Sequence, residues 1–197
     1  MTILNSILNR KSQPIIDGEI DQEDLQLILQ CALTAPDHKA LRPWKYIICR
    51  PQDKTSLTEL IYTATLKLKA QEATAEAPVF SEIETEAIKR KITQKINSAP
   101  YIIIATLDVE VEIPINEIEL VLSAGAAIQN IIVAAESIGY SCFWRTGDWA
   151  YNPVLIELLG LSKTTKITGF IGLGKMANQK IAVASKRPVF EEHFSYF

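Results

Sequence analysis

The chain has 197 residues, of which 48% are hydrophobic and 22% are charged, and this composition predicts one domain with an apolar core rather than a disordered chain. Its formal net charge of −3 argues against a nucleic-acid partner, because proteins that bind nucleic acids usually carry an excess of Lys and Arg. The cysteines Cys31, Cys49 and Cys142 form no C-x-x-C pair, which predicts free thiols in a reducing compartment and neither a metal site nor a disulfide framework.

The sequence carries no secretory h-region at its start, and polar residues interrupt the long apolar stretch from Ile118 to Ile138. That stretch is therefore predicted to be a buried amphipathic helix and not a membrane span. Because no linker, internal repeat or low-complexity segment divides the chain, we expect a single domain over residues 1–197 in a cytoplasmic protein.

Apolar spacing and capping residues predict ten elements. In chain order these are a helix over Thr2–Asn9, a helix from Asp21 to Ala35, a strand over Trp44–Arg50, a helix from Asp53 to Ala70, a helix over Glu84–Ser98, a strand over Tyr101–Leu107, a helix from Asn116 to Gly139, a strand over Tyr140–Trp144, a helix from Asn152 to Gly160 and a strand over Ile167–Leu173. Residues 71–83 are expected to form a surface connection. Intermixed helices and strands without regular βαβ alternation predict an α/β or α+β three-layer sandwich.

The segment Gly169–Lys175 spells G-x-x-x-x-G-K, which is the first part of a phosphate-binding P-loop. A P-loop would continue with Ser or Thr and a helix, but position 176 is Met and the motif lies on a predicted strand. We therefore interpret its glycines as interior strand positions that allow close approach of a neighbouring group.

Three other segments carry candidate binding residues. Arg10-Lys11-Ser12 offers two cations and a hydroxyl for a phosphate, although a basic pair at this position can also simply interact with the helix dipole. The loop from Thr34 to Trp44 reads Thr-Ala-Pro-Asp-His-Lys-Ala-Leu-Arg-Pro-Trp, and by itself its histidine, His38, could be an exposed loop residue. Phe143-Trp-Arg-Thr-Gly147 ends a strand with a glycine that permits close approach.

Together these segments resemble the nitroreductase family, in particular its small, minimal members. Those members carry Ala-Pro-Asp-His-Lys followed by Pro-Trp, and Trp-Arg-Ser-Gly at the end of a strand. The likeness extends over nearly the whole chain, including the long helix 118–139, the last strand 169–174 and the aromatic C-terminal end, and it is weakest over residues 63–98. It implies one central mixed sheet covered by helices.

The resemblance also implies a homodimer with FMN at the subunit interface. Arg10, Lys11 and Ser12 would hold the FMN phosphate and ribityl chain, and Thr34 and His38 would reach the flavin bound mainly by the other subunit. At the strand end, Trp144, Arg145 and Thr146 would border the flavin ring, chiefly through backbone amides. The flavin would then accept hydride at N5 from NAD(P)H and pass it to a nitroaromatic, a quinone or a similar acceptor.

Some positions depart from the family pattern. Lys11 stands for an arginine, Gln13 stands where further phosphate contacts are common, and Arg42 replaces a polar residue. Lys175, Lys186 and Arg187 are candidates for an additional phosphate contact, with surface solvation as the competing role. Residues 134–139 match a stretch linked to the nicotinamide nucleotide, but they also suit a helix core. The alternative functions are a non-catalytic FMN carrier or sensor and an interaction protein without a cofactor.

Overall fold

The computed structural model describes residues 3–13, 16–72, 80–110, 114–175, 188–189 and 192–195. The described helices are α1 (Ile3–Asn9), α2 (Gln22–Ala32), α3 (Lys54–Glu72), α4 (Glu82–Ile96), α5 (Glu117–Ser137) and α6 (Pro153–Leu158). The described strands are β1 (Trp44–Cys49), β2 (Tyr101–Asp108), β3 (Ser141–Arg145) and β4 (Thr165–Gly174). All ten predicted elements are therefore found.

The four strands form one sheet in the order β1-β2-β4-β3, and each neighbouring pair is antiparallel. The expectation of a mixed sheet is thus not met by the described strands. The connections explain the directions, because the two helices α3 and α4 between β1 and β2 return the chain so that β2 runs opposite to β1. The single long helix α5 joins β2 to β3, which run in the same direction, but β4 lies between them.

Helices cover both faces of the sheet. On one face α3, α4 and α6 pack over side chains such as Ile102, Ile104 and Phe170, and on the other face α2 and α5 pack over Ile103 and Ile171. Residues 102–107 of β2 are all buried, which is the pattern of a strand covered on both sides. The predicted three-layer α+β sandwich is confirmed.

Helix α5 is long and apolar enough to cross a membrane by length and composition alone. One of its faces nevertheless packs on the sheet, where Ile128, Ile131 and Ala135 belong to the same apolar cluster as β2 and β4. Its ends confirm the sequence signals: the Asn116 side chain accepts a hydrogen bond from the backbone N–H of Ile118, and Gly139 follows with a φ of 91°. We therefore identify α5 as the core helix of the sandwich.

The glycines of the G-x-x-x-x-G-K segment lie on β4 and make room for side chains of β3. A Cβ at Gly172 would meet the Phe143 ring at 2.0 Å, and a Cβ at Gly169 would meet the Trp144 indole at 2.1 Å. Lys175 forms an ion pair with Asp21 at 3.1 Å. The segment is an interior strand, as predicted, and Lys175 is engaged in the fold.

Several boundaries differ from the predictions. Helix α2 ends at Ala32, because the Thr34 hydroxyl donates to the Cys31 carbonyl at 2.8 Å and begins the following loop. Helix α4 begins two residues early, because Ser81 and Glu84 form a reciprocal capping box. The three cysteines are free, as predicted. The expectations for Lys186, Arg187 and the last two aromatic residues lie outside the described residues.

Candidate flavin-binding site

The segment that follows α1 lies beside the outer edge of β3. The backbone N–H of Gln13 donates to the Cys142 carbonyl at 3.1 Å, and the N–H of Ile16 donates to the Ser98 carbonyl at 2.7 Å. Arg10 and Lys11 are half-buried, and the Arg10 guanidinium donates to the exposed Ser12 hydroxyl at 3.4 Å. The structure thus places the three predicted phosphate ligands together at the start of β3.

The other end of β3 presents backbone groups at the same edge. In a strand, alternate residues direct their N–H and C=O groups to the same side. The backbone groups of Trp144 therefore face the same outer edge as the Cys142 carbonyl. Among the described residues, no backbone hydrogen bond to the Trp144 N–H or C=O is found on the side of β3 that faces away from β4. The strand ends at Arg145 and is followed by Thr146 and by Gly147, whose φ is 79°. This edge offers main-chain donors and acceptors to a planar ligand.

The side chains of this strand end point to opposite faces of the sheet. The Trp144 indole remains 40% exposed while it donates to the Thr168 carbonyl at 3.1 Å. The Arg145 guanidinium lies on the other face, 3.8 Å from the Phe143 ring centroid and 2.9 Å from the Ser98 hydroxyl. Burial lowers the pKa of Arg145. By the same alternation, the backbone groups of Arg145 face β4, where Arg145 pairs with Phe170, and Trp144 is the residue whose backbone faces the outer edge.

A cavity of about 850 Å³ opens between α5, the end of β3 and the start of β4. Trp144 and Thr146 line it from β3, and Val121, Leu122 and Gln129 line it from α5. Its volume lies within the range of roughly 300–1,000 Å³ that is typical of small-molecule sites. Two of the three predicted ring-binding residues, Trp144 and Thr146, therefore border this large cavity, whereas Arg145 does not line it.

The loop between α2 and β1 is fastened to a different face of α5. Glu119, Ser123 and Asn130 recur at helical spacing. The His38 Nδ1 lies 2.9 Å from Glu119, the Ser123 hydroxyl donates to the Pro36 carbonyl at 3.0 Å, and the Asn130 amide donates to the Cys31 carbonyl at 3.1 Å. One polar stripe on α5 thus positions the loop that carries Thr34 and His38.

This loop has an unusual backbone. Lys39, Ala40 and Arg42 have φ values of 56°, 54° and 48°, in the left-handed region that side chains other than glycine rarely adopt. The Asp37 carboxylate holds the turn by accepting the Arg42 backbone N–H at 2.6 Å. Such conformations cost free energy and tend to occur at functional sites. The loop conformation presents His38 at the surface, where it is about half exposed.

The predicted site residues fall into two groups. His38 contacts Glu119 in the first turn of α5, whereas Lys11 donates its backbone N–H to Glu136 in the last turn. The two contact points are nearly five helical turns apart, roughly 25 Å along the axis. Within one chain, the phosphate ligands and His38 therefore lie at opposite ends of α5.

Glu136 was not predicted as a site residue. Burial raises the pKa of its carboxyl, and this rise is partly offset by the hydrogen bond from the Lys11 N–H and by the charge of Arg10. Glu119 was likewise not predicted, although its helical spacing to Asn130 was visible in the sequence. The sequence does not predict which loop or segment lies against each face of α5.

Apolar side chains remain exposed on α1 and on the N-terminal half of α5. On α1 these are Ile3, Leu4, Ile7 and Leu8, and on α5 they are Ile118, Val121 and Leu122. The α5 residues flank Glu119, which binds His38. We call these seven residues the exposed apolar surface, and its α5 part adjoins both His38 and the large cavity.

Comparison with known proteins identifies relatives of this fold. The nitroreductase family model matches residues 17–175. The Escherichia coli protein named "Putative NAD(P)H nitroreductase YdjA" is 27% identical over 175 residues, which is 88% of each chain. A nitroreductase-like family protein from Bacillus cereus has a TM-score of 0.82 and 23% identity, and covers 100% of this chain and 96% of its own. A nitroreductase with bound FMN from Bacteroides fragilis has a TM-score of 0.68 and 20% identity, with coverage of 100% and 99%.

Proposed function

Because the chain belongs to the nitroreductase family, we propose that it is a homodimeric, FMN-dependent oxidoreductase that takes hydride from NAD(P)H. Its acceptor would be a nitroaromatic compound, a quinone or a similar molecule. The proposal also places the enzyme in the cytoplasm, in agreement with its free thiols. The observation that carries it is the line of groups along β3, which runs from the cationic segment to the large cavity.

The donor set along β3 suits FMN. Arg10, Lys11 and Ser12 supply two cations and a hydroxyl for a phosphate. The large cavity, which is bordered by Trp144 and Thr146, supplies space for a planar ring. Strand β3 spans roughly 13 Å between these ends, so the separation suits a ligand with a phosphate at one end and a ring at the other.

When bound, FMN would supply hydride chemistry that no side chain can perform. The protein residues bind and orient it. The backbone groups of Trp144 at the outer edge and those of the Thr146–Gly147 turn would donate to and accept from polar atoms at the ring edge, and fixed dipoles of this kind stabilise charge that develops during a reaction. The Trp144 indole restricts access of water at the cavity wall. No side chain is assigned as nucleophile, acid or base.

A second copy of the chain completes the site in this proposal. His38 contacts the first turn of α5, roughly 25 Å along the axis from the last turn, where the segment with Arg10 of the same chain lies. It lies beside Ile118 and Leu122, which are exposed in one chain and would be covered in a dimer. Thr34 and His38 would thus contribute to the flavin site of the partner.

An absorption experiment tests the proposal. The purified protein is incubated with FMN, desalted, and then mixed with NADH or NADPH under argon. We expect retained flavin bands that bleach on addition of the nicotinamide and return with a quinone. Bands that persist would instead indicate a carrier or sensor of FMN, and a colourless protein would contradict flavin binding altogether.

A further inference from the structure

Glu136 occupies an unfavourable position for a carboxylate. It lies in the last turn of the 21-residue helix α5, where the helix dipole disfavours negative charge, and the last turn contains no basic residue. It is half-buried, and burial raises the pKa of its carboxyl. An acid that is both desolvated and placed against the dipole requires local compensation.

The compensation comes from the segment that is expected to bind phosphate. The Glu136 carboxylate accepts the Lys11 backbone N–H and lies within the field of the Arg10 guanidinium. The adjoining Gln13 is tied to Cys142 of β3, so the segment is held beside the end of α5. The same cationic segment thus already serves one anion of the protein itself.

We propose that Glu136 sets how strongly the site discriminates in favour of a flavin phosphate, because its carboxylate competes with that phosphate for Arg10 and Lys11. The inference rests on the proposed FMN site. Two like charges that share one cationic segment repel each other, and partial burial strengthens this repulsion relative to water. The carboxylate therefore weakens binding of FMN but does not affect riboflavin, which lacks the phosphate.

The variant Glu136→Gln isolates the charge, because the amide oxygen can still accept the Lys11 N–H. We expect Glu136→Gln to bind FMN roughly three- to tenfold more tightly than the native protein, with riboflavin affinity unchanged. Both constants are measured by quenching of flavin fluorescence. Glu157→Gln is the matched control, since Glu157 is an exposed acid in the last turn of α6, and it should change neither constant.

The pH dependence gives a second readout. The groups that face Glu136 are Arg10 and Lys11 on the N-terminal segment and Cys142 on β3. Because the pKa of the carboxyl is raised, it becomes neutral as the pH falls through that raised value, and the competition is then relieved. The advantage of Glu136→Gln over the native protein should therefore shrink toward one at low pH, while titration of the FMN phosphate, with a pKa of about 6, affects both proteins equally.

The outcomes separate the two proposals. If the native protein binds neither FMN nor riboflavin, the proposed function is wrong and this inference falls with it. If the native protein binds FMN but Glu136→Gln binds it equally or more weakly, or gains equally for riboflavin, the inference alone is wrong. If Glu136→Gln fails to fold, the FMN-to-riboflavin affinity ratio of the native protein is measured across pH instead. After correction for titration of the FMN phosphate this ratio should rise at low pH, and Glu157→Gln should follow the native protein. A flat ratio overturns the inference.

Discussion

The two regions of the candidate site are built differently. The β3 edge rests on the core of the sandwich, where Cys142 and Phe143 are buried and Phe143 lies over Gly172. The loop that carries His38 rests on the surface, with polar contacts to α5 and a backbone in the left-handed region at three positions. The β3 edge is fixed by apolar packing, whereas the loop combines apolar contacts of Ala35 and Leu41 with polar contacts to α5.

This difference indicates separate tasks. The β3 edge and the cationic segment lie together within one chain, which suits the main part of a cofactor site. The loop contacts the opposite end of α5 from the cationic segment and adjoins apolar residues that are exposed within the described chain. We therefore expect changes near β3 to alter folding or phosphate binding, and changes near the loop to alter the site only through the dimer.

The largest effect should follow from a charge in the exposed apolar surface. Ile118→Glu, at a side chain 59% exposed in one chain and outside the lining of the large cavity, would place a carboxylate in the proposed interface and weaken dimerisation by roughly 100-fold or more. Light scattering at micromolar concentration should then show a monomer. Ile83→Glu is the control, because Ile83 is 79% exposed on α4, and this variant should remain a dimer. Two unchanged dimers would place the interface elsewhere.

The next effect concerns the core beneath β3. In Gly172→Ala the new Cβ would lie 2.0 Å from the buried Phe143 ring, so we expect a loss of about 3 kcal/mol in the free energy of unfolding, measured in urea. Combining it with Phe143→Leu should cost less than the sum of the two single changes, because the smaller side chain makes room. Strict additivity would contradict the proposed close contact.

A smaller effect is expected for the cationic segment. Arg10→Ala should weaken FMN binding about 30-fold and riboflavin binding little, because the guanidinium is assigned to the phosphate. Lys175→Ala serves as the comparison, since Lys175 is already paired with Asp21 and lies outside the proposed site. Equal losses for FMN and riboflavin would show that Arg10 supports the fold rather than the phosphate.

The smallest effect should come from the loop support. Glu119→Gln keeps a hydrogen-bond acceptor for His38 but removes the charge, and we expect FMN affinity to fall about threefold in the dimer. In monomeric Ile118→Glu the same change should have no effect, because His38 would then have no neighbouring flavin to reach. An equal loss in both backgrounds would place His38 at the site of its own chain.

Much of the fold was predictable from the sequence because local signals agreed with the tertiary structure. The apolar run 102–107, the cap at Asn116 and the glycine at 139 each act within a few residues. Sheet order and strand direction were not predictable in the same way, because they depend on how the α3–α4 pair returns the chain. The prediction of a mixed sheet was wrong for the described strands because the sequence alone does not determine the direction of each strand.

For the site, the sequence located the three segments but not their relation in space. Arg10 and Trp144 are distant in sequence. The hydrogen bond between Gln13 and Cys142 shows that the segment with Arg10 lies beside β3, which contains Trp144. The separation of His38 from Arg10 depends on which faces of α5 their supporting residues occupy. Glu136 could not be predicted as a site residue because a glutamate near a helix end has no distinctive sequence pattern.

The most direct measurement uses mixed dimers. The account assigns Arg10 and His38 of different chains to one flavin site, so chains carrying Arg10→Ala are combined with tagged chains carrying His38→Ala, and the mixed species is purified. We predict that half of its sites regain native FMN affinity, since one site then contains both native side chains, while each parental dimer remains impaired at both sites. A mixed dimer with no native-affinity site would contradict a flavin site shared between two chains.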